Sequence, residues 1–89
     1  MPTKHITIIG KVQGVFYRVS TKETADKLGI TGWVKNTADG GVEVVATGSA
    51  LQLEDFIRWC KKGPSKAVVT SVTAEDREET SFETFKIVR

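Results

Sequence analysis

Two segments with helical spacing interrupt a series of short strand-like segments in this chain, and that order permits few folds. The strands are predicted from runs of apolar residues bounded by glycine, proline and polar clusters. They are residues 5–12, 30–36, 42–47, 67–74 and a short last strand at 82–88. The order βαββαβ plus a short fifth strand predicts an α+β, ferredoxin-like split-βαβ sandwich. Its sheet should be antiparallel-rich, with two helices on one face.

Capping signals indicate where each helix begins. Ser20 and Glu23 form a capping box, in which the serine hydroxyl accepts an amide hydrogen bond and the glutamate reaches back. Ser49 and Gln52 repeat this pattern before the second helix. A glycine follows each helix. The apolar faces consist of Thr21, Ala25 and Leu28 in the first helix, and of Leu53, Phe56, Ile57 and Cys60 in the second.

The first helix joins two strands that should therefore run in the same direction. Their carboxyl ends then lie at one edge of the sheet, which brings residues 13–18 close to Asn36. Loops at the carboxyl ends of parallel strands are frequent ligand sites. The topology thus predicts a ligand site at this edge.

Length and composition limit the class of protein. The 89 residues fit one domain, 1–89, with 39% apolar and 27% charged residues. A net charge of +2 selects neither a small anion nor a polyanion as partner. The single cysteine, Cys60, can form neither an internal disulfide nor a zinc quartet. The apolar stretch ending at Gly10 is too short for a signal peptide or a membrane span, so we expect a cytoplasmic protein without a membrane partner.

The segment at 13–18 has several features of an anion-binding loop. Gly14 lets the backbone turn tightly or approach a ligand closely. The loop leads into a helix N-terminus, where unpaired amides and the helix dipole favour an anion. Arg18 adds a cationic fork that matches two phosphate oxygens. The local pattern also fits an ordinary strand-to-helix loop with a surface arginine, and the spacing of a nucleotide P-loop is absent.

Asn36 closes the second predicted strand. Its side chain can donate and accept hydrogen bonds at once, which suits the orientation of a water molecule. By local pattern alone, the more common role is that of a turn-initiating asparagine before residues 37–41.

Longer motifs resemble the signatures of the acylphosphatase family. Residues 10–18 resemble the first signature, which is Val-Gln-Gly-Val, one variable residue, an aromatic residue and arginine. Residues 32–36, Gly-Trp-Val-Lys-Asn, resemble the second. The later matching positions are Gly40, Val42 and Gly48, then Gly63, Pro64, Ala67 and Val69. The resemblance covers nearly the whole chain, with Tyr17 for the commoner phenylalanine and a double glycine at 40–41 as small variations.

The resemblance implies an enzyme that hydrolyses acyl phosphates to a carboxylate and inorganic phosphate, without a metal or other cofactor. It implies that Arg18 binds the phosphate and that Asn36 orients the attacking water. Neither motif contains a histidine or carboxylate, so a phosphate oxygen of the substrate is expected to take the water's proton. The backbone amides expected to form the phosphate cradle belong to Gln13, Gly14, Val15, Phe16, Tyr17 and Arg18.

The expected partner is a small-molecule acyl phosphate, with inorganic phosphate or sulfate as competing anions and with the protein as a monomer. A non-catalytic phosphate-binding module on the same fold is an alternative. So is an acylphosphatase-like module of a larger carbamoyl-transfer enzyme, although a start at Met1 and the lack of zinc modules favour a free-standing enzyme.

A nucleic-acid-binding module is the remaining alternative, because RNA-recognition domains share this element order. Those domains place aromatic rings on the two central strands to stack bases. The corresponding outward positions here are His5, Thr7 and Ile9 on the first strand and Glu43, Val45 and Thr47 on the third. No stacking pair is present, so we expect no nucleic-acid partner.

Overall fold

The computed structural model describes residues 1–89 and contains five strands and two helices. The elements are β1 (Thr3–Lys11), α1 (Tyr17–Leu28), β2 (Thr31–Asn36), β3 (Val42–Thr47), α2 (Ala50–Lys62), β4 (Val68–Arg77) and β5 (Phe85–Ile87). The strand order in the sheet is β4-β1-β3-β2-β5. Both β1 and β2 run antiparallel to β3, and β5 runs parallel to β2. The expected ferredoxin-like fold is confirmed, and β1 and β2 end at the same edge of the sheet.

Both helices pack on one face of the sheet. Strand side chains alternate between the two faces, so every second residue of β1 and β3 contributes to the core. The buried residues of these strands on the helical face are Ile6, Ile8, Val42, Val44 and Ala46. Leu53, Phe56 and Cys60 from the predicted stripe of α2 are buried against them. The sheet and helices thus form a single apolar core.

Two strands differ in length from the sequence prediction. β4 continues to Arg77, because its charged last residues still pair with the start of β1. Such residues are tolerated there since β4 is an edge strand and the side chains of these last residues are exposed. β5 is limited to Phe85–Ile87, which pair with residues 32–34.

The start of α1 also differs from the prediction. Ser20 does not cap the helix, since its N–H donates to the Phe16 carbonyl at 3.0 Å and its carbonyl accepts the Thr24 hydroxyl at 2.9 Å. The N-cap is Phe16, with φ of 63° and no side-chain cap bond. The predicted capping box at Ser20 and Glu23 is therefore wrong, and Arg18 lies in the first helical turn rather than in the loop. The capping box at Ser49 and Gln52 is confirmed by bonds of 3.1 and 2.7 Å.

Burial of Tyr17 explains the early start of α1. Its ring is 1% exposed, and its hydroxyl donates to the Cys60 carbonyl in the last turn of α2 at 2.7 Å. That carbonyl has no helical donor, because the residue four positions later is Pro64, which lacks an N–H. Tyr17 therefore fixes the first turn of α1 to the end of α2.

The Tyr17→Phe variant should be less stable by about 1–3 kcal/mol, because it leaves the Cys60 carbonyl buried without a donor. Urea unfolding followed by tryptophan fluorescence measures the loss. Burial raises the pKa of Tyr17 above its ordinary 10.0, so the phenol stabilises the wild type fully below that pH and less above it. The difference between the two proteins should therefore shrink in alkali.

A matched control for this variant is Thr24→Val, which removes a half-buried hydroxyl bond within α1. Since the Ser20 carbonyl lies within the helix, we expect a loss below about 1 kcal/mol. Equal stability of Tyr17→Phe and the wild type would contradict the role given to the phenol.

Candidate active site

A cavity of about 340 Å³ opens at the edge of the sheet where β1 and β2 end. It is lined by the loop after β1, the first turn of α1, the end of β2 and the last residues of the chain. The lining residues are Val12, Gly14, Phe16, Tyr17, Arg18, Val19, Asn36, Ile87 and Arg89. The topology thus brings Arg18 and Asn36 to one cavity. Gln13 and Val15, also expected in the cradle, do not line it; Val15 packs in the core.

Backbone amides along the entry to α1 have no acceptor within the protein. No backbone N–H from residues 13–19 donates a hydrogen bond, and the first bond of the helix is that from the Ser20 N–H to the Phe16 carbonyl. Gly14 and Phe16 both have left-handed φ angles, of 73° and 63°. Left-handed residues within such a loop turn successive N–H groups toward one side and form a concave anion-binding nest. The helix dipole adds to this preference for an anion.

Conformation rather than space accounts for glycine at position 14. A Cβ atom there would meet nothing within 4 Å, yet the φ of 73° is one that side-chain-bearing residues rarely adopt. The open space beside Gly14 leaves its backbone accessible to a ligand.

Arg18 is a cation without a partner in the protein. It takes part in none of the ion pairs, and its guanidinium makes no hydrogen bond with the protein. No aspartate or glutamate lines the cavity. Arg89 is a second arginine among the lining residues, and it also takes part in none of the ion pairs. The cavity therefore combines positive charge with unpaired amides and suits a small anion.

Asn36 lines the same cavity and carries a buried acceptor without a partner. Its Oδ1 is the only buried side-chain oxygen or nitrogen without a hydrogen-bond partner. An unsatisfied buried acceptor costs about 1–3 kcal/mol, so this atom requires a donor from a water or a ligand.

The turn after β2 does not depend on the Asn36 side chain. The Thr37 N–H donates to the Gly41 carbonyl, and the Gly41 N–H donates to the Thr37 hydroxyl, both at 3.0 Å. The Thr37 hydroxyl donates in turn to the Asp39 carboxylate, and this bond with that from Gly41 holds the pKa of Asp39 below its usual value. The alternative role of Asn36, as a turn-initiating residue, is thus filled by Thr37 and Asp39.

Gln13 joins the two halves of the site through its side chain. Its Nε2 donates to the Thr37 carbonyl at 2.9 Å and to the Gly41 carbonyl at 2.8 Å. These bonds tie the loop after β1 to the turn that follows Asn36. Sequence reasoning missed this contact, because nothing in the local pattern indicates acceptors so far along the chain.

Comparison with known proteins identifies the family. The acylphosphatase family model matches residues 4–87, nearly the whole chain. The chain belongs to the acylphosphatase family. As a member it is a hydrolase, and acyl phosphates are its class of substrate.

Individual acylphosphatases resemble the chain over most or all of their length. That of Marinobacter nauticus is 50% identical over 84 residues, which cover 90% of this chain and 91% of that protein. The crystal structure of acylphosphatase from Bacillus subtilis superposes with a TM-score of 0.96 at 36% identity, with both chains covered completely at 100%. Full-length HypF in its phosphate- and nucleotide-bound form matches with a TM-score of 0.89 at 30% identity, over 99% of this chain and 12% of HypF.

The outer face of the sheet differs from a base-stacking surface. Glu43 lies near its centre, with the Oε2 atom 2.6 Å from His5 Nε2 and the Oε1 atom 3.7 Å from Lys35 Nζ. Trp33 is the one aromatic residue on the neighbouring strand β2, and the Lys35 Nζ lies 5.5 Å from its ring centroid. A carboxylate at this position disfavours a polyanion.

The chain contains no cluster of three or more histidine, cysteine or acidic residues suited to a metal, and neither helix is long and apolar enough to cross a bilayer.

Proposed function

We propose that the protein hydrolyses acyl phosphates by in-line attack of a water on phosphorus, without a metal. In this proposal Arg18 and the loop amides hold the phosphate, and Asn36 orients the water. One observation carries the proposal: Asn36, whose buried Oδ1 has no partner, lines the same cavity as Arg18, which makes no ion pair, and as residues whose backbone amides donate no hydrogen bond.

The cationic side of the cavity suits the phosphate of the substrate. Phosphoryl transfer proceeds through a loose transition state, with negative charge spread over three equatorial oxygens. Donors that already point at these oxygens need no reorganisation during the reaction, so they stabilise the transition state most. In this proposal the amides of Gly14 and of residues 16–18, which line the cavity, and the Arg18 guanidinium are such donors.

Asn36 is suited to hold the nucleophile. Its buried Oδ1 accepts one O–H of the water and directs the water oxygen at phosphorus. The new P–O bond forms as the bond to the acyl oxygen breaks, and the electron pair of that bond leaves with the carboxylate. Carboxylate is a good leaving group, so the acid catalyst that a poorer leaving group needs is dispensable here.

The water's proton goes to a phosphate oxygen of the substrate. No histidine, aspartate or glutamate lines the cavity to act as a base. Tyr17 lines it, but its hydroxyl donates to Cys60 and burial raises its pKa, so the phenol stays neutral. The products are a carboxylate and inorganic phosphate carrying the transferred proton.

Hydrolysis of benzoyl phosphate, followed by absorbance, tests this proposal. We expect turnover that survives EDTA, inhibition by inorganic phosphate and sulfate, and a broad pH profile from mildly acidic to neutral conditions. Loss on EDTA with recovery on Mg²⁺ would contradict the metal-free mechanism. A sharp bell with limbs near the pKa of histidine or a carboxylate would indicate a base outside the cavity. Phosphate binding without any turnover would instead support the non-catalytic module.

A further inference from the structure

The cavity has an apolar rim that the chemistry at phosphorus does not use. Phe16 is 75% exposed and Val19, one turn further along α1, is 47% exposed, yet both line the cavity. Ile87, partly buried on β5, belongs to the same lining. Single exposed apolar residues are common, but two on one turn of a helix that both line a cavity form a patch that suits an apolar ligand group.

The backbone at Phe16 keeps the ring in this position at the expense of an unfavourable conformation. Phe16 is the only residue other than glycine with a positive φ, and bulky residues rarely adopt one. Its neighbours Val15 and Tyr17 are both buried in the core, whereas the Phe16 ring points to solvent beside the cavity. The ring therefore contributes little to the packing of the protein itself. A strained residue at a ligand site is a reason to look for a role in binding.

In-line attack places the acyl group on the side of phosphorus opposite the water. If the water is held at Asn36, the acyl group extends toward the remaining walls of the cavity. Ile87 and Arg89 continue from β5 alongside β2, on the same side as Asn36, so the walls away from Asn36 are those at the start of α1, where Phe16 and Val19 lie.

We propose that Phe16 and Val19 form the subsite for the acyl group. The subsite favours acyl phosphates with an aromatic or branched aliphatic acyl group over acetyl phosphate. This inference rests on the proposed function, because it uses the position of phosphate and water given there. A planar ring such as that of benzoyl phosphate can stack on Phe16 and contact Val19, whereas an acetyl group is too small to reach both.

The test compares kcat/KM for benzoyl and acetyl phosphate in the wild type, Phe16→Asn and Val19→Thr. Asparagine tolerates a positive φ and threonine has nearly the shape of valine, so each change removes apolar surface with little effect on the backbone. The ratio of the two kcat/KM values should fall about tenfold in Phe16→Asn, the lower end of the range for a lost apolar contact in a pocket. It should fall about threefold in Val19→Thr, which loses less apolar surface. Comparing each variant with the wild type cancels the intrinsic reactivity of the two anhydrides.

Val68→Thr provides the matched control, because Val68 is an exposed valine on β4 that does not line the cavity. Its ratio should equal that of the wild type. An equal loss on both substrates in Phe16→Asn would leave the ratio unchanged and overturn the subsite. A wild-type preference for succinyl phosphate over benzoyl phosphate would also overturn it, in favour of charge recognition by Arg89. A wild type that hydrolyses none of these substrates would refute the proposed function, and the subsite with it.

Discussion

Arg18→Ala should lower kcat/KM for benzoyl phosphate on the order of 10³-fold, a large effect for one side chain. The guanidinium is unpaired in the protein and lines the cavity, so its charge is available to the phosphate in both the bound substrate and the transition state. Its removal should therefore weaken competition by inorganic phosphate as well as slow turnover. Steady-state kinetics with phosphate as competitor measure both effects.

Two further variants distinguish the contribution of the Arg18 charge from that of its planar shape and from the general effect of removing an arginine. Arg18→Lys keeps a positive charge but loses the planar fork, so we expect an intermediate loss of about 10–100-fold. Arg58→Ala is the matched control, because Arg58 is an exposed arginine of α2 that pairs only with Glu54 and Asp55. Its kinetics should stay within about twofold of the wild type, as expected for a surface ion pair.

Stability measurements test whether the loss of activity in Arg18→Ala is caused by a loss of stability. Because Arg18 makes no ion pair, its replacement should change the free energy of unfolding by less than about 0.5 kcal/mol. Normal kcat/KM in Arg18→Ala would remove Arg18 from the mechanism. Lost activity together with a large loss of stability would make it a structural residue.

The sequence predicted correctly those elements whose defining residues all lie within the element itself. The alternation of Val42, Val44 and Ala46 defines β3, and Ser49 caps α2, both as the structure has them. The capping box at Ser20 has an equally good local pattern, yet it is wrong. Burial of Tyr17 outweighs it, and that burial depends on a carbonyl in α2 that local reasoning could not supply.

For the site too, the placement that follows from the order of the elements could be predicted from the sequence, whereas individual contacts between distant parts of the chain could not. The parallel course of β1 and β2 was enough to expect residues 13–18 beside Asn36, and the structure places Arg18 and Asn36 on one cavity. Their roles in the reaction stay predictions. Arg89 could not be foreseen, because it reaches the cavity only through the pairing of β5 with β2. The positive φ of Phe16 occurs between two buried neighbours, a conformation that no short motif specifies.

Asn36→Ala should lower kcat for benzoyl phosphate about 10²–10³-fold, the usual effect of removing one group that acts in the transition state. The inhibition constant of inorganic phosphate should change by less than about threefold, because Arg18 and the loop amides remain. This split between turnover and phosphate binding distinguishes Asn36 from Arg18, whose removal should affect both.

The stability of the same variant gives an independent test of the Asn36 role. The Oδ1 atom has no hydrogen-bond partner in the protein, so its removal breaks no bond of the fold and should change the free energy of unfolding by less than about 1 kcal/mol. Thr37→Val is the contrasting variant: it removes the hydroxyl that closes the turn and should lower stability. A turn-initiating asparagine would behave like Thr37. The proposed role of Asn36 would be contradicted if Asn36→Ala were less stable and lost turnover and phosphate binding by the same factor. The water would then have to be oriented by another group.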